Sequence, residues 1–219
     1  HALLVCDLGC DRVFQYVLGR DGALVPNATP SIKAHAPGAG PRHIVAHPAK
    51  PWVYVINEMS STVQAHSFDP ASGSLAVEPF QVTSTITPGH TGVGDCNFSE
   101  AACLKLHPSG KFLYGSNRGQ DSIVVFRVDE EDGRLTWAAT EMTGGAQIRG
   151  KGPRDFDISP CGTFLVLGNA DLDTLVCYRI DASSGLLARA CEVASPAPVC
   201  VRIVRAGGPI GKSSKRPAE

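Results

Sequence analysis

GPRHIVAHPAKPWVYVINEMSSTVQAHSFDPASGSL, residues 40–75, consists of short apolar runs separated by turn residues, and its recurrence decides the fold. It returns as CLKLHPSGKFLYGSNRGQDSIVVFRVDEEDGRL at 103–135 and as GPRDFDISPCGTFLVLGNADLDTLVCYRIDASSGLL at 152–187. A partial copy, LLVCDLGCDRVFQYVLGRDGAL, occupies 3–24. The closing leucines, Leu24, Leu75, Leu135 and Leu187, are 51, 60 and 52 residues apart. The longer middle spacing holds an insertion around TPGHTGVGDCNFSEA, 87–101. Self-similarity at such a period marks a repeat architecture in which each repeat is one supersecondary unit.

Each unit reads as four strands. In the unit that starts at Gly40 they are predicted at about His43–Ala46, Trp52–Ile56, Thr62–Phe68 and Leu75–Thr83. The turns between them, HPAKP and DPASG, are rich in Pro, Gly, Ser and Asp, residues suited to tight reversals. No stretch keeps a 3.6-residue period over the roughly 10–12 residues that a helix requires. Four-stranded units of this length are blades of a β-propeller; the strands are too short and too evenly spaced for a sandwich. The expected fold is therefore all-β, a propeller with about four blades represented, three complete and two partial. The last partial blade is PVCVRI, 198–203. Residues 1–205 are expected to form the partial propeller and 206–219 a disordered tail carrying Lys212, Lys215 and Arg216.

Composition narrows the function. The chain has 219 residues, 20 basic and 21 acidic, with a net charge of −1. That balance gives no electrostatic footprint for nucleic acid or an anionic membrane. No apolar run approaches the roughly 18 residues that would span a bilayer. Eight cysteines are scattered without a C-x-x-C pair, which favours free thiols in an intracellular protein over disulfides or zinc. The glycosylation sequons at Asn27 and Asn97 are expected to be inert in that setting. The first residue is His1, so the expectation is a fragment of a longer protein, with a naturally shortened form as the alternative.

In a four-stranded antiparallel meander, the start of strand one and the end of strand two lie at the same edge. Arg42 precedes strand one of its unit and Glu58 follows strand two; Arg118 ends strand two of the next unit and Arg154 precedes strand one of the unit after. All four are expected at one mouth of the propeller, with the HPAKP and DPASG turns on the opposite face. Three arginines and a glutamate there suit an anionic small molecule, because the planar guanidinium matches phosphate or carboxylate. A nearby carboxylate supplies a general acid or base. The alternative is that these side chains brace loops, the arginines on backbone carbonyls and Glu58 on the N–H groups of the MSST turn. Other chemistry has less support. His43 and His47 are four residues apart on a strand, about 13 Å, and cannot share a metal. No G-x-S-x-G elbow is present. GGPIGKSS fails the P-loop pattern because Ala206 stands where the first glycine is required. Cys177 and Cys200 read as small core residues.

The stretches GPRHIVAHP, YVINEMSSTV, HPSGKFLYGSNRGQDSIVVF, GPRDFDISP and PVCVRI resemble the seven-bladed propeller lactonases, from about Leu3 to Val204. These include bacterial propeller-type 6-phosphogluconolactonases and fungal carboxy-cis,cis-muconate cyclases. The resemblance implies a cytoplasmic enzyme without metal or cofactor that acts on a small anionic lactone. It puts Arg42, Glu58 and Arg118 on the family's catalytic positions. His43, Asn57, Asn117 and Arg154 join them at the same mouth as candidates for substrate binding. A further family histidine, just before DLGCDRV, has no counterpart, because His1 is too close to that motif. The expected reaction is hydrolysis of 6-phosphoglucono-δ-lactone to 6-phosphogluconate, in the pentose phosphate pathway. The alternatives are a muconate cycloisomerase and a non-catalytic binding platform. Open sheet edges would invite pairing with another chain.

Overall fold

The computed structural model describes residues 1–87, 99–145 and 152–205. The expected tail, and most of the insertion between the second and third units, lie outside the described residues. Strands form four antiparallel sheets. The first contains β1 (Ala2–Asp7), β2 (Arg12–Leu18) and β3 (Leu24–Lys33), in that order. The second contains β4 (Pro41–Ala46), β5 (Trp52–Asn57), β6 (Thr62–Asp69) and β7 (Ser74–Leu75), and β8 (Gln81–Ser84) also pairs with β6. The third is β9 (Glu100–Leu106), β10 (Phe112–Arg118), β11 (Ser122–Val128) and β12 (Leu135–Met142). The fourth is β13 (Pro153–Ile158), β14 (Phe164–Asn169), β15 (Thr174–Ile180) and β16 (Leu187–Ala194).

These are successive propeller blades. The first sheet supplies strands two to four of a blade, because DLGC aligns with NEMS of the next repeat. The fourth strand expected over Leu75–Thr83 is broken in two. Pro79 lies between the pieces, and proline has no N–H to give a ladder.

Alternation along the strands explains why the blades stack. WVYVIN of β5 is buried at every position. Val53 and Val55 pack with Val13, Ile32 and Leu75 between the first and second blades. Trp52, Tyr54 and Ile56 pack with Leu104, Leu113 and Phe126 between the second and third. The third and fourth blades share Tyr114, Ile123, Phe156, Leu165 and Tyr178. A strand covered on both faces has to read as a continuous apolar run. Burial of each such side chain is worth roughly 1.5–3 kcal/mol.

A polar staple repeats between blades. The Tyr54 hydroxyl donates to the Gly133 carbonyl at 2.8 Å, and the Tyr114 hydroxyl donates to the Gly185 carbonyl at 2.8 Å. Both glycines have φ of +76°, and a Cβ there would lie 2.4 Å from Trp52 or Phe112 respectively. Glycine is therefore required twice over, by conformation and by space.

Candidate functional site

Strands β4, β9 and β13 are the first strands of their sheets and run side by side, so residues at equal register form layers. Each pairs with its neighbour through an irregularity at the same place. Pro41 opposes Asn57 and His43 opposes Ile56, which leaves Arg42 as the extra residue. Pro153 opposes Asn169 and Asp155 opposes Gly168, which leaves Arg154 in the same position. Bulges re-aim side chains and recur beside active sites. Both arginines therefore lie within strands, one residue inside the edge expected from the sequence.

Glu58 is bridged by two arginines. Arg42 Nε lies 2.8 Å from Glu58 Oε2, and Arg118 Nη2 lies 3.0 Å from Glu58 Oε1. Arg118 Nη2 also lies 3.5 Å from Glu100 Oε2. Arg42 Nη1 donates to the Ala102 carbonyl at 2.6 Å and to His43 Nε2 at 2.9 Å. A guanidinium only donates, so the His43 proton sits on Nδ1. Burial, with the Arg42 charge adding to it, pushes the His43 pKa down to about 4, and the ring is neutral at pH 7. Burial and the charge of Arg118 push the Arg42 guanidinium pKa down, while Glu58 opposes that shift. Of these groups Arg42 and His43 border a cleft of about 260 Å³, whose wall they share with Lys105, Arg154, Asp155 and Arg202 and with Val199, Cys200 and Val201; Glu58 and Arg118 lie behind Arg42.

Arg42, Glu58, Arg118, His43 and Arg154 are thus gathered at one edge. Asn57 and Asn117 lie beside them but face inward and are fully buried. Asn57 Nδ2 donates to Thr62 Oγ1 at 3.0 Å. Asn117 Nδ2 donates to the Thr85 carbonyl at 2.9 Å, and its Oδ1 accepts from Thr85 Oγ1 at 2.6 Å. Lys105, Asp155, Asp157 and Arg202 did not stand out in the sequence. Aligning the repeats strand on strand puts Lys105 and Asp157 under Val45, and that register was the available signal. Larger hollows of about 360 and 440 Å³ lie around Arg12, Lys33 and His35. Their walls come from the start of β2, from β3 and the loop after it, and from the segment between β7 and β8, with no residue of the converging first strands.

One group of metal-capable side chains occurs among the described residues: ligand atoms of His43, Cys103 and Asp155 lie within 4.8 Å of one another. They occupy one layer of β4, β9 and β13. Each already serves the protein. His43 Nε2 accepts from Arg42, the Cys103 thiol donates to the Phe156 carbonyl, and Asp155 Oδ2 accepts from the Val201 N–H. Arg42, Lys105 and Arg154 line the same cleft, a setting that favours an anion over a metal cation. His47 points elsewhere, its Nδ1 accepting from the N–H groups of Ala49 and Lys50.

Comparison with known proteins decides the family. The profile described as lactonase, 7-bladed beta-propeller, matches residues 1–203. The chain belongs to the propeller lactonase family. Among its relatives is the 6-phosphogluconolactonase of Bacillus subtilis, 35% identical over 203 residues, which are 92% of this chain and 54% of that protein. A Lactobacillus plantarum crystal structure superposes with a TM-score of 0.82 at 33% identity, covering 93% of this chain and 55% of the other. The periplasmic gluconolactonase of Pseudomonas aeruginosa gives 0.78 at 27% identity, covering 90% and 52%. The chain therefore spans about half the length of the relatives it matches.

Proposed function

We propose that the Arg/Glu mouth is the hydrolytic site of a sugar lactonase, with 6-phosphoglucono-δ-lactone as substrate and 6-phosphogluconate as product. The observation that carries this is the Arg42–Glu58–Arg118 bridge, which reaches a cationic cleft through Arg42. The names of the Bacillus and Pseudomonas relatives support it. Glu58 takes a proton from water as the water oxygen attacks the lactone carbonyl carbon. The guanidinium groups of Arg42 and Arg118 face the negative charge that develops on the carbonyl oxygen. The bond from that carbon to the ring oxygen then breaks, and Glu58 returns the proton to the departing oxygen. Neutral His43 fixes Arg42 through its Nε2, and Arg154 adds charge to the cleft wall. In this scheme Asn57 and Asn117 hold the strand ends that carry Glu58 and Arg118 instead of touching the lactone.

Within this proposal the reaction belongs to the pentose phosphate pathway and the protein to the cytoplasm. The test is acid release from 6-phosphoglucono-δ-lactone beside a carboxymuconolactone control. Release above the spontaneous rate with the sugar lactone is the expected result. Acceleration with the muconolactone alone would replace it with the cycloisomerase reading. Binding of the sugar lactone with no acceleration would leave a binding platform.

A further inference from the structure

One layer further along the first strands than His43, Cys103 and Asp155 come Val45, Lys105 and Asp157. The segment 199–203 runs beside β13, its Val201 and Ile203 N–H groups donating to Asp155 and Asp157 at 2.8 Å. It brings Arg202 into the same layer. Lys105 Nζ lies 3.6 Å from Asp157 Oδ1, and Arg202 Nη1 lies 3.4 Å from Asp157 Oδ2. One carboxylate is shared by two cations, and its Oδ2 already accepts the Ile203 N–H. Both cation contacts are longer than the roughly 2.7–2.9 Å of a well-formed charge-assisted hydrogen bond. A lysine has three donors and an arginine five, so most of theirs remain for another acceptor. Lys105 and Arg202 face the cleft that Arg42 and Arg154 also line.

We infer that Lys105 and Arg202, positioned by Asp157, form a second anion-binding arm that takes the phosphate ester of the substrate while Arg42, Glu58 and Arg118 work on the lactone. The inference rests on the lactonase reading and deepens it, by making this layer the determinant of phosphorylated over unphosphorylated sugar lactones. A phosphate monoester carries close to two negative charges at pH 7 and three acceptor oxygens, which suits two cations with spare donors.

The experiment compares kcat/KM for 6-phosphoglucono-δ-lactone and glucono-δ-lactone in the wild type, Lys105→Met, Lys105→Arg and Arg202→Ala. The expected result is a fall of roughly tenfold or more in the phosphorylated-to-unphosphorylated ratio for Lys105→Met, carried by KM, with partial recovery in Lys105→Arg. Arg202 is exposed, so Arg202→Ala preserves the test if the strand variant does not fold. An unchanged ratio in both variants would overturn the arm and leave the lactonase proposal standing. If the wild type hydrolyses neither lactone, the lactonase proposal fails by itself. Calorimetric binding of inorganic phosphate then decides the arm: weaker binding in Arg202→Ala supports it, and equal binding overturns it.

Discussion

Arg42 meets three acceptors at once, Glu58, His43 and the Ala102 carbonyl, and only a planar guanidinium can span them. Arg42→Lys is therefore expected to lower kcat/KM about tenfold to a hundredfold, one charge-assisted hydrogen bond being worth roughly 1.5–3 kcal/mol; a variant as fast as wild type would contradict the role. His43 adds a pH signature. Its folded pKa of about 4 lies below the ordinary imidazole value of about 6.5. The unfolded chain therefore binds the extra proton first, and stability is lost as pH falls from about 6.5 to about 4. Denaturant midpoints across that range should fall more in wild type than in His43→Gln; parallel profiles would show that His43 is not the group responsible. The positions of Arg42, Glu58 and Arg118 were legible in the sequence because strand ends of a meander must meet. The inward direction of Asn57 and Asn117 was not legible, since it depends on Thr62 and Thr85 being within reach after folding.

At the scale of elements, the strands were readable from apolar runs and turn chemistry. The bulges that hold Arg42 and Arg154 were not, because a bulge is a mismatch between two strands and leaves no residue type as a mark. The inter-blade staple belongs here too. Tyr114 reads as one more core aromatic until its hydroxyl is seen on the Gly185 carbonyl. Tyr114→Phe should cost about 1 kcal/mol in urea unfolding, the usual worth of a buried hydrogen bond. Gly185→Ala should cost more, since its Cβ would meet Phe112 in a backbone conformation that disfavours alanine. Equal midpoints for all three proteins would contradict the staple.

Across the whole molecule, the repeat in the sequence and the stacked sheets give the same architecture, and family membership rests on the profile match over residues 1–203. What the repeat did not reveal is the layering of charge along the first strands, where Val45, Lys105 and Asp157 share a register but not a chemistry. The decisive measurement is initial-rate hydrolysis of 6-phosphoglucono-δ-lactone by wild type and Glu58→Gln, with 6-phosphogluconate binding measured on both. Loss of roughly 10²–10⁴ in kcat with product affinity retained is the predicted result, the usual contribution of a general base. Undiminished turnover in Glu58→Gln would contradict the assignment of this mouth as the hydrolytic site.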